Sequence, residues 1–233
     1  MATTRTQAPR LLLTLAVFAV FAAAQTNQLT TQEEADGWRL LFDGKTLDGW
    51  QATGNTQWSV VDGAIVPSGE QTGYLESLES YSDLVLRVDF RCAADANSGV
   101  FVRSQPVGQG RGGRRGANAQ GGQGQGGGGQ GGGGRGRGRS PTFYEVQIWR
   151  EQPAGYNTGG IVGVANAIRE TNFRPDEWNT YEITADGDHI VVVLNGETTL
   201  DTHDSSLQSG RLRLQYMGFP IEFRNLKIKV LNQ

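Results

Sequence analysis

The sequence predicts an all-β domain, an antiparallel β-sandwich or jelly roll. Period-2 alternation of apolar and polar residues recurs along the chain, and helical periodicity is nearly absent. The alternating stretches are short and separated by Gly- and Asp-rich turns, among them Asn195-Gly196, the strongest short hairpin signal.

Taken in order, the 233-residue chain begins with Arg5 and Arg10, an apolar run from Leu11 to Phe21, and Ala22-Ala23-Ala24 before Gln25. A positive region, a short apolar core and an A-x-A-like site are the pattern of a secretory signal peptide over 1–24, cleaved near Ala24. The run is shorter than the ~20 residues that span a bilayer. An exported protein, periplasmic or extracellular, with no membrane span after processing is expected. Residues 25–35 read as a linker, and a single domain follows over 36–232.

The strands then follow. Leu84, Leu86, Val88, Phe90 and Cys92 share one face, with Val85, Arg87, Asp89 and Arg91 on the other. Val100 and Val102 alternate with Phe101 and Arg103, and Val146 and Ile148 with Glu145, Gln147 and Trp149. His189–Leu194 turns at Asn195-Gly196 and returns through Asp201. Leu212 and Leu214 alternate with Arg211, Arg213 and Gln215. In the last strand the apolar phase passes from Ile221 and Phe223 to Leu226, Ile228 and Val230, which demands a bulge near Arg224-Asn225. Matching apolar faces across a turn at Ala93–Gly99 pairs Cys92 with Val100 and Phe90 with Val102. That register sets Asp89 opposite Arg103, as a surface ion pair or as a polar groove floor.

Between these strands lies a tract, 108–139, with 18 Gly, 6 Arg and 5 Gln and no acidic residue. It has nothing apolar to bury, so a long disordered loop is expected there. Its Arg-Gly steps resemble RNA-binding segments, its charge suits acidic polysaccharide, and a tolerated insertion is the third reading. Without signal and tract, 177 of the 233 residues remain, enough for one core. That body carries 13 basic against 24 acidic residues, which argues against a nucleic-acid-binding body. Cys92 is the only cysteine, so there is no internal disulfide and no Cys/His zinc pattern.

Several phrases add up to a family likeness. They are Gly37-Trp38, Leu41-Phe42-Asp43-Gly44-Lys45-Thr46-Leu47-Asp48-Gly49-Trp50, Trp58-Ser59-Val60-Val61-Asp62-Gly63 and Tyr81-Ser82-Asp83-Leu84. Asn97 to Arg103, Tyr144 to Ile148, Glu177 to Glu182, Leu194-Asn195-Gly196 and Glu222 to Ile228 continue in order. Over about Asp36 to Leu231 the chain resembles the 3-keto-disaccharide hydrolase family, which is similar in fold to concanavalin-like and laminin-G-like jelly rolls. It departs from the pattern at Met217 and at Trp149-Arg150-Glu151, where members of that family often have histidines.

The resemblance implies cleavage of 3-keto-glycosides. A ketone at C3 acidifies the C2 proton, a base removes it, the C1 group leaves by elimination, and hydration completes a net hydrolysis. On that reading Glu145 is the base, or else an outward-facing carboxylate. Arg103 is its oxyanion- or hydroxyl-binding partner, and Asp89 is the second carboxylate. Gln147 and Gln215 orient hydroxyls. Trp149 stacks on a sugar ring or packs at an edge, and Asn97 serves as ligand or turn residue. Trp38, Trp50, Trp58 and Trp178 are expected in the core. His203, near Asp201 and Asp204, is the one candidate metal ligand. A divalent cation is left open, no organic cofactor is expected, and the expected partner is a saccharide. The alternatives are a non-catalytic carbohydrate-binding module on the same fold and a surface protein whose tract makes the contacts.

Overall fold

The computed structural model describes residues 26–105, 142–150, 155–168 and 171–231. The signal segment 1–24 and the tract 108–139 lie outside the described residues. Helix α1 (Thr31–Ala35) comes first, then strands β1 (Trp38–Leu40), β2 (Trp50–Gly54), β3 (Gln57–Val61), β4 (Ala64–Ser68) and β5 (Gly73–Tyr81). Strands β6 (Leu84–Cys92), β7 (Ser98–Ser104), β8 (Tyr144–Ile148) and β9 (Asn179–Asp186) follow. The chain closes with β10 (His189–Leu194), β11 (Glu197–His203), β12 (Gly210–Tyr216) and β13 (Ile221–Val230).

Apolar alternation needs a second layer to bury its inward face, and two antiparallel sheets supply it. The larger has the order β11-β10-β9-β6-β13-β4-β3 with β1 beside β13; the smaller has the order β2-β5-β12-β7-β8. Between them Phe90, Tyr181, Ile183 and Phe223 of the larger sheet join Leu75, Val100, Val146 and Leu214 of the smaller in one core. The jelly-roll-type β-sandwich is therefore the observed fold, and Cys92 is buried in it, its thiol pushed up to about 12 chiefly by desolvation.

Turn chemistry sets the hairpins. Asn195-Gly196 lies between the paired Leu194 and Glu197 with φ of 49° and 83°, and Asp62-Gly63 joins β3 to β4 with 50° and 76°. Both are two-residue loops with positive φ at each central position, which suits the strand twist. The expected bulge in the last strand is present: pairing of β13 with β6 shifts between Arg224 and Lys227, and Asn225 has φ 52°.

Three expectations fail. β6 and β7 do not form a hairpin: β6 pairs with β9 and β13, whereas β7 pairs with β8 and β12 in the other sheet. The register that set Asp89 opposite Arg103 is therefore wrong, because matching apolar phase shows that two strands share a core, not that they are neighbours. The stretch called a linker contains α1, whose Thr30 and Glu33 form a capping box. Glu33 also pairs with Arg87 at 2.9 Å and Lys227 at 2.8 Å, and Asn27 exchanges hydrogen bonds with Asn225. Finally, Trp50 is buried and Trp58 packs against the core, but Trp38 and Trp178 lie partly exposed under arginines. Arg87 stacks on Trp38, and Arg91 and Arg224 on Trp178.

Candidate functional site

Period-2 geometry turns Glu145 away from the core that holds Tyr144 and Val146, onto the outward face of the smaller sheet. Cross-strand pairing then fixes its neighbours. One row on that face runs Gln51, Glu76, Arg213, Phe101, Glu145; the row beside it holds Thr53, Tyr74, Gln215, Gly99 and Gln147.

Glu145 sits against an apolar and closed surround. Its direct cross-strand neighbour is Phe101, whose ring meets Tyr74 at 5.4 Å and Phe143 at 5.0 Å. Beyond β8 the backbone of 159–162 adds to the sheet: Val162 N–H donates to Glu145 O at 3.1 Å and Gln147 N–H to Gly160 O at 2.9 Å. Residue 99 must be glycine for close approach, since a Cβ there would lie 2.9 Å from both Cγ and Oε1 of Glu145. Glu145 has no side-chain hydrogen bond or ion pair among the described residues. Desolvation alone pushes its carboxyl up to about 7. A carboxyl poised near neutrality is suited to taking and returning a proton.

Glu76, on the same face, is the opposite case. It accepts from Arg211 Nη1, Arg213 Nε and Gln51 Nε2. Burial raises its carboxyl, but the hydrogen bonds from Arg211, Arg213 and Gln51 outweigh that and hold it below the usual carboxylate range. Arg213 also donates to Gln105 O at 3.1 Å and lies over the Tyr74 ring.

The expected site residues separate into two groups. Gln147 and Gln215 share the Glu145 face, both buried. Gln147 Oε1 accepts from Ile148 N–H at 3.1 Å, and Gln215 Oε1 is buried with no hydrogen-bond partner among the described residues. Trp149, partly exposed, directly follows β8, and Asn97, also partly exposed, directly precedes β7.

Arg103 does not belong to this group. Pairing of β7 with β12 shifts between Arg211 and Arg213, a bulge that gives Arg103 φ 52° and turns its side chain into the protein, 0% exposed. Its guanidinium donates to the carbonyls of Ser82 at 2.8 Å, Gly187 at 2.7 Å and Leu207 at 3.0 Å, and to Asp83 at 3.0 Å. Four of its five N–H groups are engaged there, tying three chain segments together. Asp89 lies in the other sheet, where it accepts from Thr180 Oγ1 and Asn225 Nδ2 at 2.7 Å each and pairs with Arg224. His203 bonds Asp188, not Asp201 or Asp204, and Asp204 instead takes the Tyr144 hydroxyl. Among the described residues no group of three or more His, Cys, Asp or Glu is arranged to hold a metal ion.

The row from Gln51 through Glu76 and Arg213 to Phe101 was not picked out from sequence as part of a site. Its signal was present in the alternation of Arg211, Arg213 and Gln215 with Leu212 and Leu214.

Comparison with known proteins adds the following. Residues 37–229 match the sequence profile of the 3-keto-alpha-glucoside-1,2-lyase-like domain. A 3-keto-disaccharide hydrolase of Bacteroides thetaiotaomicron is 28% identical over 97 residues, covering 36% of this chain and 33% of that protein. The match thus spans about a third of that relative. A candidate glycosyl hydrolase from Parabacteroides distasonis superposes with TM-score 0.67 at 21% identity, covering 89% of this chain and all of that one (100%). The carbohydrate binding module CBM66 from Bacillus subtilis gives TM-score 0.52 at 16% identity, over 77% of this chain and 94% of that one. The kappa-carrageenase of Pseudoalteromonas carrageenovora gives 0.51 at 10% identity, over 91% and 98%. At these identities the structural likenesses show the fold.

Proposed function

The chain belongs to the 3-keto-alpha-glucoside-1,2-lyase-like domain family, and from that membership we propose that it cleaves 3-keto-glycosides with Glu145 as the base. The observation that carries the proposal is the desolvated Glu145 carboxyl, near 7, on an outward sheet face and unpaired among the described residues. In the reaction Glu145 takes the C2 proton, the electron pair moves toward C1, the bond from C1 to the aglycone oxygen breaks, and that oxygen leaves with a proton drawn from Glu145 or water. Addition of water across the resulting C1–C2 double bond yields the free 3-keto sugar. Gln215 Oε1 has no hydrogen-bond partner among the described residues and, once its buried amide turns outward, accepts from a sugar hydroxyl. Trp149, just past the end of β8, offers a ring for stacking.

A second reading, a non-catalytic saccharide-binding module, is favoured by one observation. Arg103 is buried and bonded elsewhere, so no described cation stands beside Glu145 to hold an oxyanion. A carbohydrate binding module and a tetrasaccharide-bound carrageenase among the proteins of like fold support a saccharide partner on either reading. Incubating the protein with a 3-keto-glucoside and following aglycone release tests the proposal. Release that falls ~100-fold or more in Glu145→Gln is expected. Saturable binding without release would establish the module instead, and release unchanged in Glu145→Gln would remove Glu145 from the mechanism.

Export is part of the same proposal, supported by Arg5, Arg10, the run Leu11–Phe21 and Ala22–Ala24. Recovery of a secreted chain beginning at Gln25 is the expected result, and an unprocessed chain retained in the cytoplasm would refute it.

A further inference from the structure

On the solvent side of the larger sheet, away from Glu145, the β10–β11 hairpin sets two imidazoles face to face. His189 and His203 are direct cross-strand partners, and their rings stack with centroids 4.7 Å apart and planes 12° from parallel. They are the only two histidines of the chain. Each is held by a separate carboxylate: His189 Nε2 lies 2.8 Å from Asp201 Oδ1, and His203 Nδ1 lies 3.1 Å from Asp188 Oδ1. A carboxylate takes the N–H of an imidazole and so leaves the lone pair on the other nitrogen. That places the lone pairs of the neutral form on His189 Nδ1 and His203 Nε2, on two side chains 42% and 65% exposed.

We propose that His189 and His203 together bind one divalent transition-metal ion, with Asp201 and Asp188 orienting the rings and water completing the coordination. Metal–nitrogen bonds of about 2.0–2.1 Å bring two cis nitrogens to roughly 3 Å from each other. Because the ring-nitrogen lone pairs lie in the ring planes, the stacked rings, 4.7 Å apart and 12° from parallel, must swing open by rotation about their side-chain torsions for the two lone pairs to converge. Both side chains have the exposure to make that motion, and the strand pairing already fixes their Cα atoms. Imidazole ligands select Cu²⁺, Ni²⁺ and Zn²⁺ over hard cations.

Titration of untagged full-length protein with Cu²⁺, Ni²⁺, Zn²⁺, Mg²⁺ and Ca²⁺ tests the site. One equivalent of Cu²⁺ is expected, bound more tightly than Ni²⁺ or Zn²⁺, with no uptake of Mg²⁺ or Ca²⁺. His189→Ala and His203→Ala should each abolish that equivalent. Asp201→Asn, which keeps both imidazoles, should weaken it ~10- to 100-fold. Uptake that survives in the His189→Ala/His203→Ala double variant overturns the proposal, and so does equal binding of Ca²⁺. A wild-type protein that takes up no transition metal does the same.

Discussion

Replacing Glu145 by glutamine should stabilise the protein above pH ~7 and leave its stability near pH ~4.5 almost unchanged. The sign follows from the raised carboxyl. In the folded protein burial lifts Glu145 from the ordinary 4.5 to about 7. The native state therefore holds a proton that the unfolded chain releases between those values. The stability tied to Glu145 is thus fully present below about 4.5 and is lost as pH rises through about 7. At about 1.4 kcal/mol per pH unit over the interval from 4.5 to about 7, burying the ionised carboxylate costs about 3.5 kcal/mol at alkaline pH. Glutamine is neutral throughout and escapes that cost. Urea unfolding of wild type and Glu145→Gln near pH ~4.5 and pH ~8 isolates the effect, since other titrating groups cancel in the difference. The variant should gain about 3 kcal/mol relative to wild type between the two conditions, or roughly 5–10 °C in Tm. A difference that stays constant within ~0.5 kcal/mol would show that Glu145 is solvated and would remove the physical basis for its role as a base.

Other outcomes follow from the same geometry. Gly99→Ala puts a Cβ 2.9 Å from the Glu145 carboxylate; aglycone release should fall, and the pH–rate limb near 7 should move toward acid as the displaced carboxylate gains water. Arg103→Met should lower stability by ~3–5 kcal/mol in urea unfolding, because it takes the guanidinium from the Ser82, Gly187 and Leu207 carbonyls and the cation from Asp83; a fall in turnover at unchanged stability would instead restore Arg103 to the site. Asn195→Ala should cost ~1–3 kcal/mol by thermal unfolding, for it removes a residue at φ 49° whose side chain bonds Asn179, Thr180 and Asn172.

The fold was legible because burial in a sandwich writes itself into every second residue. Leu84, Leu86, Val88 and Phe90 are all buried as their alternation requires, and Asn195-Gly196 turns where its φ preferences place it. Strand order was not legible. Alternation identifies which side chains face the core, but Cys92 and Val100 reach that core from opposite sheets. The five residues between β6 and β7 carry the chain from one sheet to the other, and nothing in their composition distinguishes a crossover from a hairpin. Trp38 and Trp178 mislead for a related reason: a large aromatic ring can be covered by arginines on an outer face as well as by a core.

The placement of the candidate residues was half legible, and the misplaced half bears on the chemistry of the rest. Glu145 could be placed on an outward face from its alternation with Tyr144 and Val146, but its desolvation comes from distant pieces: Phe101, Gly99 and the 159–162 backbone. Arg103 was misplaced because one bulge residue reverses the direction of a side chain, and no local residue type announces that bulge. Had Arg103 stood beside Glu145, its charge would have drawn the carboxyl down, as Arg211 and Arg213 help to do for Glu76 on the same face. Glu76 is thereby held ionised and a poor base, while Glu145, with no cation among the described residues, is held near neutrality. Two carboxylates on one sheet face thus have divergent acidities because only one has arginine partners. The missing partner is what leaves Glu145 basic enough for the proton transfer proposed for it.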